Sequence, residues 1–187
     1  CSGQQDRRTG HHRPATIERT WPVTTAPFAP VTAADIDAVS RQLGRPARNV
    51  IGIAARCVCG SPTVVATRPR LDDGTPFPTL YYLSHPAATA AISTLEANGV
   101  MAQLQQLLAD APMAAHYLDA HHSYLADREG LEVVEEIAGI SAGGMPARVK
   151  CLHALAGHSL AAGPGVNPIG DLALEQADWS PLVCQCE

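Results

Sequence analysis

Two short runs rich in β-branched residues, Asn49-Val-Ile-Gly-Ile-Ala-Ala-Arg56 and Pro62-Thr-Val-Val-Ala-Thr67, are separated by only five residues, one of them glycine. Runs of that length and composition read as buried strands, and so short a connection makes them an antiparallel hairpin. The connection is Cys57-Val-Cys59-Gly60-Ser61, which sets two thiols at the hairpin tip, much as in a zinc knuckle.

The remaining pattern is mostly helical. Thr32-x-x-Asp35 is a capping box with Asp in place of Glu; Ile36, Val39 and Leu43 follow at helical spacing, and Gly44 stops the helix. Thr79-Leu-Tyr-Tyr-Leu-Ser84 predicts a third strand, with His85 at its end and Pro86 opening a helix at its first position. Helices are expected over 86–98, 100–109 and 112–127. A glycine loop, 139–146, leads into a helix expected over 146–162, and a turn-rich connector, 163–170, into a last short one. The fold class is therefore α+β: a small, mostly antiparallel sheet of about three strands packed against four or five helices. The expected organisation is a disordered or non-native extension over 1–30, one domain over 31–178, and a flexible tail over 179–187.

Composition narrows the function. A chain of 187 residues holds one domain, and with aromatics at 4% the core must rest on small aliphatic side chains. A formal net charge of −5 argues against a nucleic-acid surface. No apolar stretch approaches the roughly 20 residues of a spanning helix, so no membrane role is expected. The start is polar and basic without the apolar core of a signal peptide. Cys1 followed by small residues resembles the start of a mature bacterial lipoprotein; a fragment or an over-extended reading frame is the preferred explanation. A disulfide inside either Cys-x-Cys pair would be strained, so metal-bound or free thiols in a reducing cytoplasm fit better.

Thiols and imidazoles within structured segments point to a borderline divalent ion, zinc above all. Cys57, His85, Cys151, His153 and His158 are the candidate ligands. The preferred quartet is Cys57, His85, Cys151 and one of the two histidines, with His153 slightly ahead. Cys151 and His158 would share a helix face but sit about 10.5 Å apart along its axis. Cys151 and His153 would point about 200° apart in a regular helix and could share an ion only at a frayed or unwound start. Four protein ligands would make a structural site, and three plus water a catalytic one. Gly143 and Gly144, with Arg148 and Lys150 in the first turns of the expected helix, form a candidate anion-binding site, to which Arg45 and Arg48 could add. Asp72-Asp73-Gly74 reads as a turn. Cys184-Gln-Cys186 is expected to fray.

The segments Gly44-Arg-Pro-Ala-Arg48, Ala55-Arg-Cys57, Pro76-Phe-Pro-Thr-Leu-Tyr-Tyr-Leu-Ser-His-Pro86, Leu95-Glu96-Ala97, Val149-Lys-Cys-Leu-His153 and Asn167-Pro-Ile-Gly170 resemble an uncharacterised, mainly actinobacterial family. It is known as domain of unknown function number five hundred and one. Many of its members carry cysteine, in a Thr-Cys-Pro context, where this chain has His85. That resemblance implies that position 85 tolerates an exchange of metal ligands; it implies no activity, and it gives Cys59 no counterpart.

Two functions are expected from these readings. The first is a cytoplasmic, zinc-stabilised module that binds a partner protein or a small anion. The second is a metal-dependent hydrolase or transferase on a phosphorylated substrate, with Glu96 or Asp73 as base. The first is preferred because no acid or base sits at motif distance from the candidate ligands.

Overall fold

A computed structural model describes residues 28–186. Cys1 and most of the expected 1–30 extension lie outside the described residues. Among the described residues the fold is α+β, a four-stranded antiparallel sheet with six α-helices. The strands are β1 (Ala29–Pro30), β2 (Val50–Arg56), β3 (Pro62–Thr67) and β4 (Tyr81–Leu83), in the order β1-β2-β3-β4. The helices are α1 (Ala33–Leu43), α2 (Pro86–Ala97), α3 (Val100–Leu107), α4 (Ala111–Glu129), α5 (Leu152–Ala162) and α6 (Pro168–Gln176).

The β2–β3 hairpin forms where the sequence places it. Its register slips between Ile53 and Ala55, where one strand takes up an irregularity. The edge strand β1 was not expected, since Ala29-Pro30 has neither strand composition nor length. It pairs because Gly52, opposite Pro30, has no side chain: a Cβ there would lie 2.9 Å from the Ala29 carbonyl and would strike Phe28.

Alternation along β3 divides the core. Val64 and Ala66 face the large helical layer, whereas Val65 faces Val39 of α1 and Ile53. The α1 cap matches its sequence signal: Thr32 and Asp35 cap each other's backbone N–H groups, and Gly44 closes the helix at φ +65°. Helix α5 runs through the centre of the large layer, with Leu152, Leu155, Ala156 and His158 buried. Gly157 lets it lie on β4, because a Cβ there would sit 3.1 Å from the Tyr81 carbonyl oxygen.

One expectation is corrected. Helix α5 begins at Leu152, not near Pro146. The backbone of 147–150 is committed elsewhere: the N–H groups of Arg148 and Lys150 donate to the carbonyls of Gly144 and Gly143 at 2.9 and 2.8 Å. Gln105 of α3 accepts from the Val149 N–H at 2.8 Å and donates to the Ala147 carbonyl at 3.3 Å. In the stretch 179–186, Leu182, Val183 and Cys184 are exposed, while Trp179 and Pro181 touch the domain. Trp179 is buried against His85, with ring centroids 5.5 Å apart, and the Val58 N–H donates to the Pro181 carbonyl at 2.9 Å.

Candidate metal centre and a second thiol cluster

The hairpin turn holds itself rigid at its base. The Cys57 N–H donates to the Ser61 carbonyl at 2.9 Å and the Gly60 N–H to the Cys57 carbonyl at 2.8 Å. Gly60 takes φ +90°, a left-handed conformation that glycine adopts without strain. This turn presents Cys57 on its buried side and Cys59 outward.

The returning C-terminal segment brings Cys184 and Cys186 onto the same tip. The sulfurs of Cys57, Cys59, Cys184 and Cys186 all lie within 4.8 Å of one another, and Cys59 and Cys186 approach to 3.4 Å. Tetrahedral zinc with bonds of about 2.3 Å requires sulfur–sulfur separations of about 3.8 Å, which these values bracket. This set can hold a metal ion. The hydrogen bond from the Ser61 backbone, with help from Cys186, holds the Cys59 thiol below its ordinary range, while burial and the neighbouring Cys59 push Cys186 up.

His85 stands beside this cluster. As N-cap of α2 its Nδ1 accepts the Ala88 N–H at 3.4 Å, which leaves the ring proton on Nε2, 2.9 Å from the Cys186 sulfur. The imidazole thus donates to the Cys186 thiol and orients it. Burial holds His85 below its ordinary range, which favours this neutral form.

Cys151 and His153 meet elsewhere, with Glu96 of α2. Among the described residues, no group of three or more metal-donor side chains joins them to Cys57. Cys151 is the N-cap of α5 in an extended conformation (φ −150°, ψ 106°), and this unwound start lets its sulfur approach His153. His153 Nδ1 lies 3.2 Å from Glu96 Oε1, which also accepts the Leu152 N–H at 2.7 Å. His153 Nε2 lies 3.2 Å from the Thr89 carbonyl and 3.1 Å from Ser93 Oγ. Contact with His153 lowers the Cys151 thiol, and the same contact, reinforced by Glu96, raises His153 to about 9.

His158 is remote from both groups in its surroundings. It is fully buried, stacked on Tyr81 at 5.9 Å and edge-on to Tyr124 at 5.2 Å, with Nδ1 3.2 Å from Asn167 Nδ2. Gly143 and Gly144 do not open a helix. Their carbonyls accept bonds from Lys150 and Arg148, and a Cβ at Gly143 would strike Leu155 at 2.5 Å, so they serve a tight packing loop. Arg45 and Arg48 line a different cavity, of about 280 Å³, with Leu71 and Phe77. Asp73 is exposed in its turn and accepts the Thr75 N–H at 2.9 Å.

Cys59, Cys184 and Cys186 are the residues the sequence reading left out. Two Cys-x-Cys pairs of identical spacing were the available signal, since paired thiols commonly supply two ligands each to one ion.

Neither a curated protein nor a solved structure matches the chain. A family match covers residues 53–175, from within β2 almost to the end of α6. It includes Cys57, Cys59, His85, Glu96, Cys151 and His153, and it stops short of Cys184 and Cys186. That span is more than half of the sequence, so the chain belongs to the family described as Protein of unknown function (DUF501).

Proposed function

We propose that Cys57, Cys59, Cys184 and Cys186 hold one zinc ion in a closed structural site, and that the domain it completes is a cytoplasmic binding or regulatory module. The carrying observation is the convergence of four sulfurs, from two Cys-x-Cys pairs at opposite ends of the domain, within 4.8 Å. Four thiolates fill a tetrahedral shell and leave no position for substrate or water. No carboxylate belongs to this group, which favours a structural over a hydrolytic metal.

A binding role draws support from the surface around the clasp. Val58, Leu182 and Val183 are 65%, 80% and 58% exposed, and the Val58 N–H bond to Pro181 sets these stretches side by side. Exposed apolar side chains grouped at a rigid tip are the composition of a protein-docking surface. No helix among the described residues is long and apolar enough to cross a membrane.

The test is elemental analysis of protein purified without added metal, together with Cys57→Ser and Cys184→Ser. One equivalent of zinc in the wild type and none in either variant is the expected result. Metal-free wild type whose stability is unaffected by chelators overturns the reading.

A further inference from the structure

Cys151, His153 and Glu96 bring a thiol, an imidazole and a carboxylate within 4.8 Å of one another. The Cys151 sulfur lies at the N-terminus of an eleven-residue helix. Glu96 Oε1 is committed to the Leu152 N–H and to His153, and the far side of the imidazole is fixed by the Thr89 carbonyl and Ser93 Oγ. A metal would have to displace these bonds. The helix N-terminus and the His153 imidazolium favour a thiolate at Cys151, against the nearby Glu96 carboxylate.

The array opens on a cavity of about 280 Å³, lined by Tyr81, Tyr82, Leu83, Thr89 and Ala154 besides Cys151 and His153. Apart from the pair itself, this lining is uncharged, and Glu96 repels anions. The space suits a short, uncharged group.

We infer that Cys151 is a nucleophile, with His153 as its proton donor and acceptor, acting on short uncharged acyl groups carried as activated esters or thioesters. The Cys151 sulfur bonds to the acyl carbon while the carbonyl electron pair moves to oxygen. Collapse breaks the bond to the leaving oxygen or sulfur, which takes the proton from His153. Water then attacks the thioester on Cys151 as His153 takes a proton from it, the carboxylic acid departs, and the thiolate is regenerated. Glu96 positions and charges the imidazole. This inference is independent of the zinc clasp.

The experiment uses p-nitrophenyl acetate on the zinc-loaded full chain, with mass spectrometry of the modified peptide. Acetylation of Cys151 ahead of every other cysteine is expected, with about tenfold or greater slowing in His153→Gln and Glu96→Gln at unchanged zinc content. The Cys151→Ser chain should release p-nitrophenol at the background rate. Three results would each overturn the inference: acetylation spread evenly over the thiols, a Cys151 rate indifferent to His153→Gln, or a Cys151 that reacts only after a chelator removes a second equivalent of zinc. Loss of zinc from wild-type chain with Cys151 reactivity retained would sink the clasp and leave the nucleophile standing.

Discussion

Cys59 and Cys186 lie 127 positions apart in the chain, yet their sulfurs stand 3.4 Å from each other at the tip of the β2–β3 hairpin. A bridge between such distant positions closes nearly the whole domain into one loop. Loop-closure entropy makes cross-links of that length the most effective in restricting the unfolded chain, whether the link is covalent or through a metal.

Chelation is therefore expected to loosen the entire domain and not only its end. With free zinc at about 1,000 times the dissociation constant, binding contributes about 4 kcal/mol. For a chain of this size that corresponds to a fall in Tm of roughly 10 °C on zinc removal. Scanning calorimetry with and without a chelator checks this, and Cys184→Ser should match the chelated wild type. A Cys184→Ser protein melting at the wild-type temperature contradicts the clasp.

Trp179 is the anchor that delivers Cys184 and Cys186. It is 6% exposed and packs on His85, the residue that also donates to Cys186. Trp179→Ala should cost about 3–5 kcal/mol by emptying that space. It should also weaken zinc retention, because the free segment must be ordered before its thiols can bind. Competition with a chromophoric chelator measures the second effect. Equal zinc affinity in wild type and variant would show that the segment is held independently of Trp179.

The hairpin, the α1 cap and the His85-Pro86 helix start were legible because each rests on residues within a few positions of one another. The four-thiol cluster was not, because it depends on a chain return that no local pattern encodes. A single buried tryptophan and one backbone bond from Val58 to Pro181 decide it. The start of α5 was misplaced for a related reason. Residues 146–150 carry an acceptable helical pattern, but the backbone of 147–150 bonds to Gln105 and the glycine loop, partners that become visible only in three dimensions. That shift of start is also what brings Cys151 to His153. The extended backbone at Cys151 lets its sulfur come near His153.

Asp35 joins two stabilising roles, capping α1 and receiving Arg56 through bonds of 2.7 and 3.0 Å. The Arg56 guanidinium, with the Thr32 bonds, holds its carboxyl far below the usual carboxylate range. A depressed folded-state value means that the unfolded chain takes up the proton first, so this stability is complete above about pH 4 and is lost as pH falls further. Asp35→Asn should cost about 1–2 kcal/mol at neutral pH, on the order of one charge-assisted hydrogen bond, since it weakens the bonds from Arg56. Urea titrations should show the wild-type advantage narrowing steadily below about pH 4. An advantage that persists unchanged into that range would assign it to packing and not to charge.

His158 makes the opposite demand on pH from inside the core. Burial holds it down at about 4, and its Nε2 has no hydrogen-bond partner while Nδ1 faces Asn167. An unfolded histidine titrates near 6.5, so between about pH 6.5 and 4 the unfolded chain binds a proton that the fold refuses. Stability should fall through that window as the solution is acidified, by about 2 kcal/mol at pH 5 from this residue alone. His158→Phe keeps a ring stacked on Tyr81 and removes the titration. Its urea midpoint at neutral pH has no bearing on the question; the difference between midpoints at about pH 7 and pH 5 does. That difference should shrink relative to wild type, while the titration of the thiol cluster, common to both proteins, cancels in the comparison. An identical pH dependence would mean that the core admits a charged imidazole, against the burial and the aromatic cage that surround it.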